Sequence, residues 1–189
     1  GPERVARNTM VYSDVEIERI ARVAFESAMR RRRQVCHMHK ANVLDVSQLW
    51  VEVVEEVAKD FPEVDLDHQL VDSGAMFLVK EPRRFDVIVT TNLFGDILSD
   101  LCAGLTGGLG LAPGANVGEH KGIFEAVHGS APDIAGQNIA NPTALMLGAA
   151  MMLEYLERNE DAERMRKAIR FVVGEGKVTT PDLGGKAST

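Results

Sequence analysis

The chain has 189 residues, enough for one ordinary domain or two small ones with a real hydrophobic core. It is 45% hydrophobic and 26% charged, which is a globular rather than a disordered composition. Lys and Arg number 21 against 28 Asp and Glu, and the resulting net charge of −7 argues against a nucleic-acid surface. No apolar run approaches the roughly 20 residues that span a bilayer, so we expect neither nucleic acid nor a membrane as a partner.

The cysteines and the chain start bear on where the protein works. Cys36 and Cys102 lie far apart, which argues against a disulfide framework and favours a reducing compartment. We therefore expect a cytoplasmic protein, or one of the mitochondrial matrix in a eukaryote. The chain opens Gly1-Pro2 with no initiator Met and no signal-like apolar segment, so its start is expected to be an internal cut or a remnant of cloning.

Helices and strands alternate through the first half of the chain. Ser13 and Glu16 form a capping box ahead of an apolar i, i+3, i+4 stripe, which predicts the start of a helix. This helix ends in the arginines at 30–33, which complement the helix dipole and are predicted to be solvated. The elements predicted next are a strand over 34–38, a helix that stops at Pro62, a short strand leading to 71–72, a helix over 75–79, an apolar strand over 85–89 buried on both faces, and a helix after Asn92.

The second helix has one apolar face, formed by Trp50, Val53, Val54 and Val57. We predict that this face, with the helix from Ile97, forms a bundle between subunits. The alternative is that it covers the sheet of its own chain.

A glycine-rich stretch from Gly104 to Gly118 is the predicted boundary or hinge, and it divides the chain into domains of 1–106 and 107–189. Beyond it we predict a strand over 122–127, a loop from His128 to Asp133, a buried helix over 143–156 and a final helix. The alternation of strands and helices predicts an α/β fold with a largely parallel sheet.

Three polar clusters follow predicted strands: Lys40 with Asn42, then Asp72, then the acids Asp96 and Asp100. In open α/β sheets, ligands bind at the carboxyl edge of the strands, so this placement is suggestive of a site.

Asp96 and Asp100 are spaced i, i+4, which puts both carboxylates on one helical face. No Lys or Arg stands at helical spacing to neutralise them, which favours a divalent cation, and oxygen ligands favour Mg²⁺ or Mn²⁺ over zinc. The alternative, which spacing alone favours somewhat, is a solvated pair on an exposed helix edge.

Two other residue groups have a structural and a functional interpretation. His37 and His39 alternate onto one strand face beside Cys36, but no CxxC or HxxxH partner completes a zinc site, so structural roles are favoured. The loop from His128 to Gly136 has no GxGxxG fingerprint, so dinucleotide binding is not indicated by it. Its Asp133 suits hydrogen bonds from ribose hydroxyls, whereas the alternative is a tight loop with a turn aspartate.

Several strings nevertheless resemble the metal-dependent β-decarboxylating dehydrogenases, a family that acts on isocitrate, isopropylmalate, homoisocitrate and tartrate or D-malate. The strings are KANVL at 40–44, FDVIVT at 85–90, NLFGDILSD at 92–100, HGSAPDIAG at 128–136 and ANP at 140–142. The resemblance covers essentially the whole chain but only the latter part of a family subunit.

The resemblance implies an α/β fold of the isopropylmalate-dehydrogenase type, with two domains and its own topology rather than a Rossmann fold, here incomplete. Residues 1–106 would be the small dimerisation domain that carries the lysine and the acids. Residues 107–189 would be part of the large domain that carries the adenosine-binding loop. The family implies a homodimer or higher oligomer whose active sites are shared across subunits.

The resemblance also implies roles by position. Lys40 matches the catalytic lysine that assists proton removal from the substrate hydroxyl, and Asn42 matches a residue near the nicotinamide. The implied ligands of Mg²⁺ or Mn²⁺ are Asp96, Asp100 and, lent by the partner subunit, Asp72. The implied contacts of NAD are His128, Gly129, Ser130, Ala131, Asp133, Ile134 and Asn141. The implied reaction is hydride transfer to the nicotinamide followed by loss of CO₂.

The cofactor and substrate expectations come from the same comparison. Asp133 and Ile134 stand where NADP users of the family tend to have Lys and Tyr, so NAD is expected. The family's catalytic tyrosine and substrate arginines should lie upstream, and Tyr12 matches neither motif. The sequence from Asn8 to Asp60 is more similar to isopropylmalate dehydrogenases, except that His39 stands where they usually have Asp. From Thr90 onward the sequence is more similar to NAD-dependent isocitrate dehydrogenases.

We therefore expect conversion of isocitrate to 2-oxoglutarate, as in the tricarboxylic acid cycle. The alternatives are a 3-isopropylmalate dehydrogenase of leucine biosynthesis, and a non-catalytic regulatory subunit or inactive fragment.

Overall fold

The computed structural model describes residues 3–189, so the expectation about Gly1-Pro2 lies outside the described residues. The chain folds into two compact units, one ending at Ser99 and the other running from Asp100 to Thr189. The helices are α1 (Asp14–Met29), α2 (Asp45–Ala58), α3 (Val71–Lys80), α4 (Asn92–Thr106), α5 (Thr143–Tyr155) and α6 (Asn159–Glu175). The strands are β1 (Gln34–His39), β2 (Asp65–Leu70), β3 (Val87–Thr90), β4 (Pro113–Val117) and β5 (Gly122–Ala126).

The first unit contains a three-stranded parallel sheet in the order β2-β1-β3. Each pair of successive strands is joined through a helix, as parallel pairing requires. This confirms the α/β class and the alternation expected from the sequence. The predicted boundary at 106/107 falls at the end of α4, the helix in which the two units divide.

The core of the first unit lies between the sheet and the pair α1 and α2. Ile17 and Phe25 of α1 and Val54 of α2 are all fully buried there, and Phe25 stacks on Phe61 with ring centroids 5.3 Å apart. The predicted capping box is present, because Ser13 N donates to Glu16 Oε2 at 2.8 Å and Glu16 N donates to Ser13 Oγ at 3.4 Å.

The apolar face of α2 is buried within its own chain. Trp50, Val53, Val54 and Val57 are each less than a tenth exposed and belong to the core cluster. The prediction that this face forms a bundle between subunits is therefore wrong. Because the periodicity of an apolar face does not say what covers it, the sequence pattern fitted both interpretations.

The arginines at the end of α1 are only in part a solvated helix end. Asp86, whose side chain is 2% exposed, accepts hydrogen bonds from Arg31 Nε and Arg32 N, both at 2.8 Å. Burial by itself would raise the pKa of Asp86, but these hydrogen bonds outweigh it and lower the pKa below its usual value. The arginine run thus anchors the end of α1 to the start of β3.

The elements around β2 and β3 differ at their ends from the prediction. β2 ends at Leu70, so Asp72 lies in the first turn of α3 and not at a strand end. β3 begins two residues later than expected, at Val87, and only Val89 in it is fully buried. An apolar run therefore overstated both the length and the burial of this strand.

The second unit is built on an antiparallel hairpin in which Pro113 of β4 pairs with Ala126 of β5. Helix α5 lies close against this hairpin, since a Cβ on Gly148 would stand 3.0 Å from the carbonyl oxygen of Glu125. The glycine-rich stretch predicted as a hinge thus includes a strand. The sequence did not predict β4 because this strand contains proline, glycine and asparagine, which are depleted in strands.

Helix α5 is buried on one side only, contrary to the prediction of a buried helix. Ala144 and Ala150 are fully buried, whereas Leu145 is 59% exposed. In the part of the chain that the structure describes, no helix combines the length and apolar character needed to cross a membrane.

Candidate functional site

The carboxyl ends of β1 and β2 bring Lys40 and Asp72 together. His39 and Leu70, the last residues of these parallel strands, pair directly in register. The residues that follow therefore leave the sheet side by side, and Lys40 Nζ lies 2.8 Å from Asp72 Oδ1. The Lys40 side chain is only 25% exposed, whereas that of Asp72 is 65% exposed. A half-buried ammonium thus faces an accessible carboxylate at the sheet edge.

The backbone around Lys40 is fixed by a turn. Its carbonyl oxygen accepts hydrogen bonds from Val43 N at 3.0 Å and Leu44 N at 2.9 Å, and its N–H donates to the buried Ser47 Oγ at 3.3 Å. Asn42 lies in the same turn and is exposed. The lysine therefore projects from a rigid base.

The environment of Asp72 favours its ionised form. The hydrogen bond from Lys40, followed by backbone N–H groups at the start of α3, lowers the pKa of Asp72. The carboxylate is consequently charged at neutral pH and able to act as an acceptor or a metal ligand.

Asp96 and Asp100 stand one turn apart on α4, and both are exposed. Among residues 3–189, no Lys, Arg or His forms an ion pair with either carboxylate. Two carboxylates that were half-buried so close together would need a nearby cation, but these two are exposed and therefore do not require one. Their exposure leaves both carboxylates accessible to one.

The carboxylates fit a divalent metal in part. Within the described residues, no three acid, histidine or cysteine side chains are grouped to hold a metal ion. Two carboxylates from one helix suit Mg²⁺ or Mn²⁺, which take oxygen ligands and commonly retain several waters. The chain thus offers two ligands and leaves the other positions to water, substrate or another subunit's acid.

A cluster of three histidines, His37, His39 and His68, lies on β1 and β2, and His37 in it packs against Trp50 of α2. The ring of His37 is fully buried, contacts His68 with 3.3 Å between the two Nδ1 atoms, and stacks on Trp50 with centroids 5.8 Å apart. Burial, and then the neighbouring His39 and His68, lower the pKa of His37 to about 3. The sequence did not link His68 to this group, although the two histidines pair directly in the β1–β2 register.

A cleft of about 790 Å³ lies in the second unit, within the volume range typical of small-molecule sites. Of the residues predicted to bind a cofactor, six line it: His128, Gly129, Ser130, Ala131, Ile134 and Asn141. Asp133 lies in the same loop, but its exposed side chain is not part of the cleft wall. The cleft also includes Asp182, which the sequence analysis did not single out.

The loop that forms the cleft is a chain of tight turns. Ala131 has φ 43° and Gly136 has φ 77°, both in the left-handed region, and Ile134 N donates to the carbonyl of Ala131 at 3.1 Å. A Cβ on Gly129 would meet no atom within 4 Å, so the scaffold itself does not require glycine there. The free space beside the backbone suits a closely approaching ligand.

Asp182 is joined to Asn141 across the cleft wall. Asn141 Nδ2 donates to Asp182 Oδ2 at 2.9 Å, and Thr180 Oγ1 donates to Asp182 Oδ1 at 2.5 Å. Because 41 residues separate Asn141 from Asp182, no local sequence pattern links them. The only local signal is the turn-forming Pro181 and Gly184 on either side of the acid.

The fit of the cleft to a nucleotide rests on its size, its small side chains and its accessible backbone. An adenosine unit is a flat apolar base attached to a polyhydroxyl ribose, which such a wall accommodates. The cleft carries carboxylates nearby and, between Lys121 and Arg158, no Lys or Arg in the sequence.

Comparison with known proteins gives a consistent result. The family model described as isocitrate/isopropylmalate dehydrogenase matches residues 1–189. The chain is 57% identical over 187 residues to the isocitrate/homoisocitrate dehydrogenase of Thermus thermophilus, covering 98% of this chain and 56% of that protein. It is 54% identical over 184 residues to a 3-isopropylmalate dehydrogenase of a Synechococcus species, covering 96% of this chain and 49% of that protein.

Solved structures agree with the sequence comparisons. The crystal structure of isocitrate dehydrogenase from Methylococcus capsulatus superposes with a TM-score of 0.90 at 50% identity, covering 95% of this chain and 53% of that one. The chain therefore spans about half the length of the relatives it matches.

Proposed function

Because the chain belongs to the isocitrate/isopropylmalate dehydrogenase family, we propose that it carries the catalytic lysine and acids of an NAD- and Mg²⁺- or Mn²⁺-dependent enzyme. This enzyme oxidises a 2-hydroxy acid and removes its β-carboxylate as CO₂. The observation that carries the proposal is the 2.8 Å contact between Lys40 Nζ and Asp72 Oδ1 at the sheet edge. A half-buried lysine held by an accessible carboxylate is a proton-handling pair.

Lys40 and Asp72 would together remove the proton of the substrate hydroxyl. Bound NAD⁺ supplies the hydride acceptor, and a bound divalent metal supplies a positive charge at the substrate oxygen. As the substrate hydroxyl gives its proton to Lys40 Nζ, the N–H proton that Nζ shares with Asp72 would pass to Asp72 Oδ1. Asp72 keeps the ammonium oriented, and the turn after β1 keeps the backbone of Lys40 still.

Asp96 and Asp100 would hold the metal from α4. Both are accessible, neither is engaged by a basic side chain of residues 3–189, and their spacing places them on one helical face. The family resemblance supports Asp72 as a further ligand contributed from a partner subunit, and hence a homodimer with shared sites. A non-catalytic subunit would be free to lose these residues, and this chain has all four of Lys40, Asp72, Asp96 and Asp100.

The cleft of the second unit would hold the adenosine half of NAD. Asp133 and Ile134 support NAD over NADP, since a carboxylate in this loop repels a 2′-phosphate and no basic residue stands nearby in sequence to neutralise it.

We propose isocitrate as the substrate, with 2-oxoglutarate as the product. Support comes from the 57% identity to an isocitrate/homoisocitrate dehydrogenase, and from His39 standing where isopropylmalate dehydrogenases usually have Asp. The second candidate is 3-isopropylmalate, which is supported by the 54% identity to a 3-isopropylmalate dehydrogenase.

The test uses a complete subunit that carries this sequence. NADH or NADPH formation is measured with isocitrate, homoisocitrate and 3-isopropylmalate, with and without Mn²⁺. Lys40→Gln should lower kcat by roughly 10²- to 10⁴-fold, the range expected for a general acid–base group. The control is Lys167→Gln, which removes a lysine from an ion pair with Glu163 on α6 in the second unit.

The outcomes separate the candidates. Preference for isocitrate supports the first choice, and preference for 3-isopropylmalate supports the second. An absence of turnover with all three acids, in a subunit that binds NAD⁺, would favour a non-catalytic role. If Lys40→Gln retains parental kcat, the proton-handling role of the pair is wrong.

A further inference from the structure

The segment after α6, residues 179–189, is bonded to the wall of the cleft at three points. Asp182 accepts from Asn141 at 2.9 Å, Thr189 N donates to the carbonyl of Asn138 at 3.0 Å, and Thr189 Oγ1 donates to the carbonyl of Ala140 at 2.7 Å. The wall from 138 to 141 is thus held from outside its own loop.

Asp182 has little capacity left to bind a ligand directly. Oδ2 accepts a hydrogen bond from Asn141 Nδ2, and Oδ1 accepts one from Thr180 Oγ1. The backbone N–H groups of Asp182 and Leu183 also donate to the carboxylate. Burial by itself would raise the pKa of Asp182, but these hydrogen bonds outweigh it and lower the pKa. Its carboxylate is therefore a fixed acceptor for the wall, and not a free group facing a ligand.

The amide of Asn141 is oriented at both ends. Nδ2 donates to Asp182, and Oδ1 accepts from Thr143 N at the start of α5 at 3.0 Å. A Cβ on Gly110 would lie 2.6 Å from Asp182 Oδ2 and 3.1 Å from Asn141 Nδ2, so the backbone at Gly110 closes directly against this pair. The contact leaves the pair no room to rearrange.

We propose that Asp182 is a positioning residue for the adenosine end of the cofactor, acting through Asn141 to fix the cleft wall. The inference rests on the proposed function, because it assumes that the cleft holds the adenosine half of NAD. It adds a determinant from the segment after α6, which the motif at 128–136 does not contain.

The test reverses the direction of the hydrogen bond. Asn141→Asp keeps an oxygen that can accept from Thr143 N. It also replaces the amide donor by a second carboxylate beside that of Asp182, at a contact of 2.9 Å in the parent, so the two like charges repel. The double variant Asn141→Asp with Asp182→Asn restores one donor and one acceptor and keeps the net charge of the parent. In it, the amide of the new residue at 182 can accept from Thr180 and donate to position 141.

The chain offers a matched control in the β4–β5 hairpin. Asn116 Nδ2 donates to Glu125 Oε1, also at 2.9 Å, and neither residue lines the cleft. Asn116→Asp therefore creates the same carboxylate pair at the same distance in the same unit. It controls for the added charge and for general destabilisation of the unit.

Binding of NAD⁺ and of AMP, a probe of the adenosine half alone, is measured by calorimetry on the 189-residue chain. Asn141→Asp should weaken both by roughly 10- to 100-fold, the range for losing a charge-assisted hydrogen bond. The double variant should recover to within about threefold of the parent, and Asn116→Asp should match the parent. In the complete subunit, KM for NAD⁺ should rise in Asn141→Asp by a larger factor than kcat falls.

Three results would overturn the inference. If Asn141→Asp binds AMP as tightly as the parent, the Asp182–Asn141 bond does not position the wall. If the double variant stays as weak as Asn141→Asp while its circular dichroism is parental, the geometry of this bond is not what matters. If the parent chain binds neither NAD⁺ nor AMP, the proposed cofactor site fails and the inference fails with it.

Discussion

Acidification should destabilise this protein through His37. The ring is fully buried against Trp50 and His68, and its pKa in the folded chain is lowered to about 3, first by burial and then by the two neighbouring histidines. In the unfolded chain the same group titrates near 6.5. Between these two values the unfolded state binds a proton that the folded state does not.

The sign and size of the effect follow from proton linkage. Because the unfolded state binds more protons in this window, the free energy of unfolding is unaffected above about pH 6.5 and falls as the pH drops below it. The slope for one group is about 1.4 kcal/mol per pH unit, so acidification from about pH 8 to about pH 5 should cost roughly 2 kcal/mol. That is a large part of a typical domain stability of about 5–15 kcal/mol.

The assay is urea unfolding at both pH values for the parent and for His37→Leu, which removes the titrating ring but keeps an apolar side chain of similar size. The pH-dependent loss should be smaller in His37→Leu by roughly 2 kcal/mol, whatever its stability at about pH 8. The control His120→Gln removes a histidine whose side chain is 83% exposed, and it should keep the parental pH dependence. Equal pH dependence in parent and His37→Leu would refute the reasoning.

Three further predictions concern the proposed enzyme. Asp96→Asn should abolish the rise in melting temperature that Mn²⁺ gives the parent and abolish Mn²⁺-dependent turnover, and unchanged activity at low metal would contradict the assignment. Replacing Asp133 by Lys and Ile134 by Tyr should shift the ratio of kcat/KM for NAD⁺ and NADP⁺ towards NADP⁺ by roughly ten- to hundredfold; a parent that already prefers NADP⁺ would refute this interpretation of the loop. Mixing Asp72→Asn and Asp96→Asn subunits should restore about a quarter of the parental sites if sites are shared in a dimer, whereas unshared sites would give no recovery.

Local patterns in the sequence predicted most of the first unit. The Ser13–Glu16 capping box spans one helical turn, and the alternation of helices with apolar strands is enough to predict parallel pairing. Strand β4 was missed because Pro113 and Gly114 carry no strand preference of their own, and it forms by pairing with β5.

Contacts between residues distant in sequence were beyond local patterns. The bonds of Arg31 and Arg32 to Asp86 and that of Asn141 to Asp182 join segments more than forty residues apart. No residue pattern around one partner of these bonds predicts the position of the other partner. The second bond lies in the wall of the cleft, so the motif at 128–136 indicated where the cleft lies but not the contacts that its wall makes with residues 179–189.

The Lys40–Asp72 pair shows how far sequence reasoning can reach once a fold class is assumed. Apart from the family resemblance, each residue was singled out only as a polar group that follows a strand, and neither position is specific by itself. A parallel pairing in which His39 meets Leu70 forces the residues after them to the same edge, and the helix that follows β2 then supplies backbone N–H groups to Asp72. The ion pair thus follows from register and helix polarity, both general properties of parallel sheets. Asp96 and Asp100 obey only the spacing of their own helix, which is why the sequence could place them on one face but could not say what completes their ligand set.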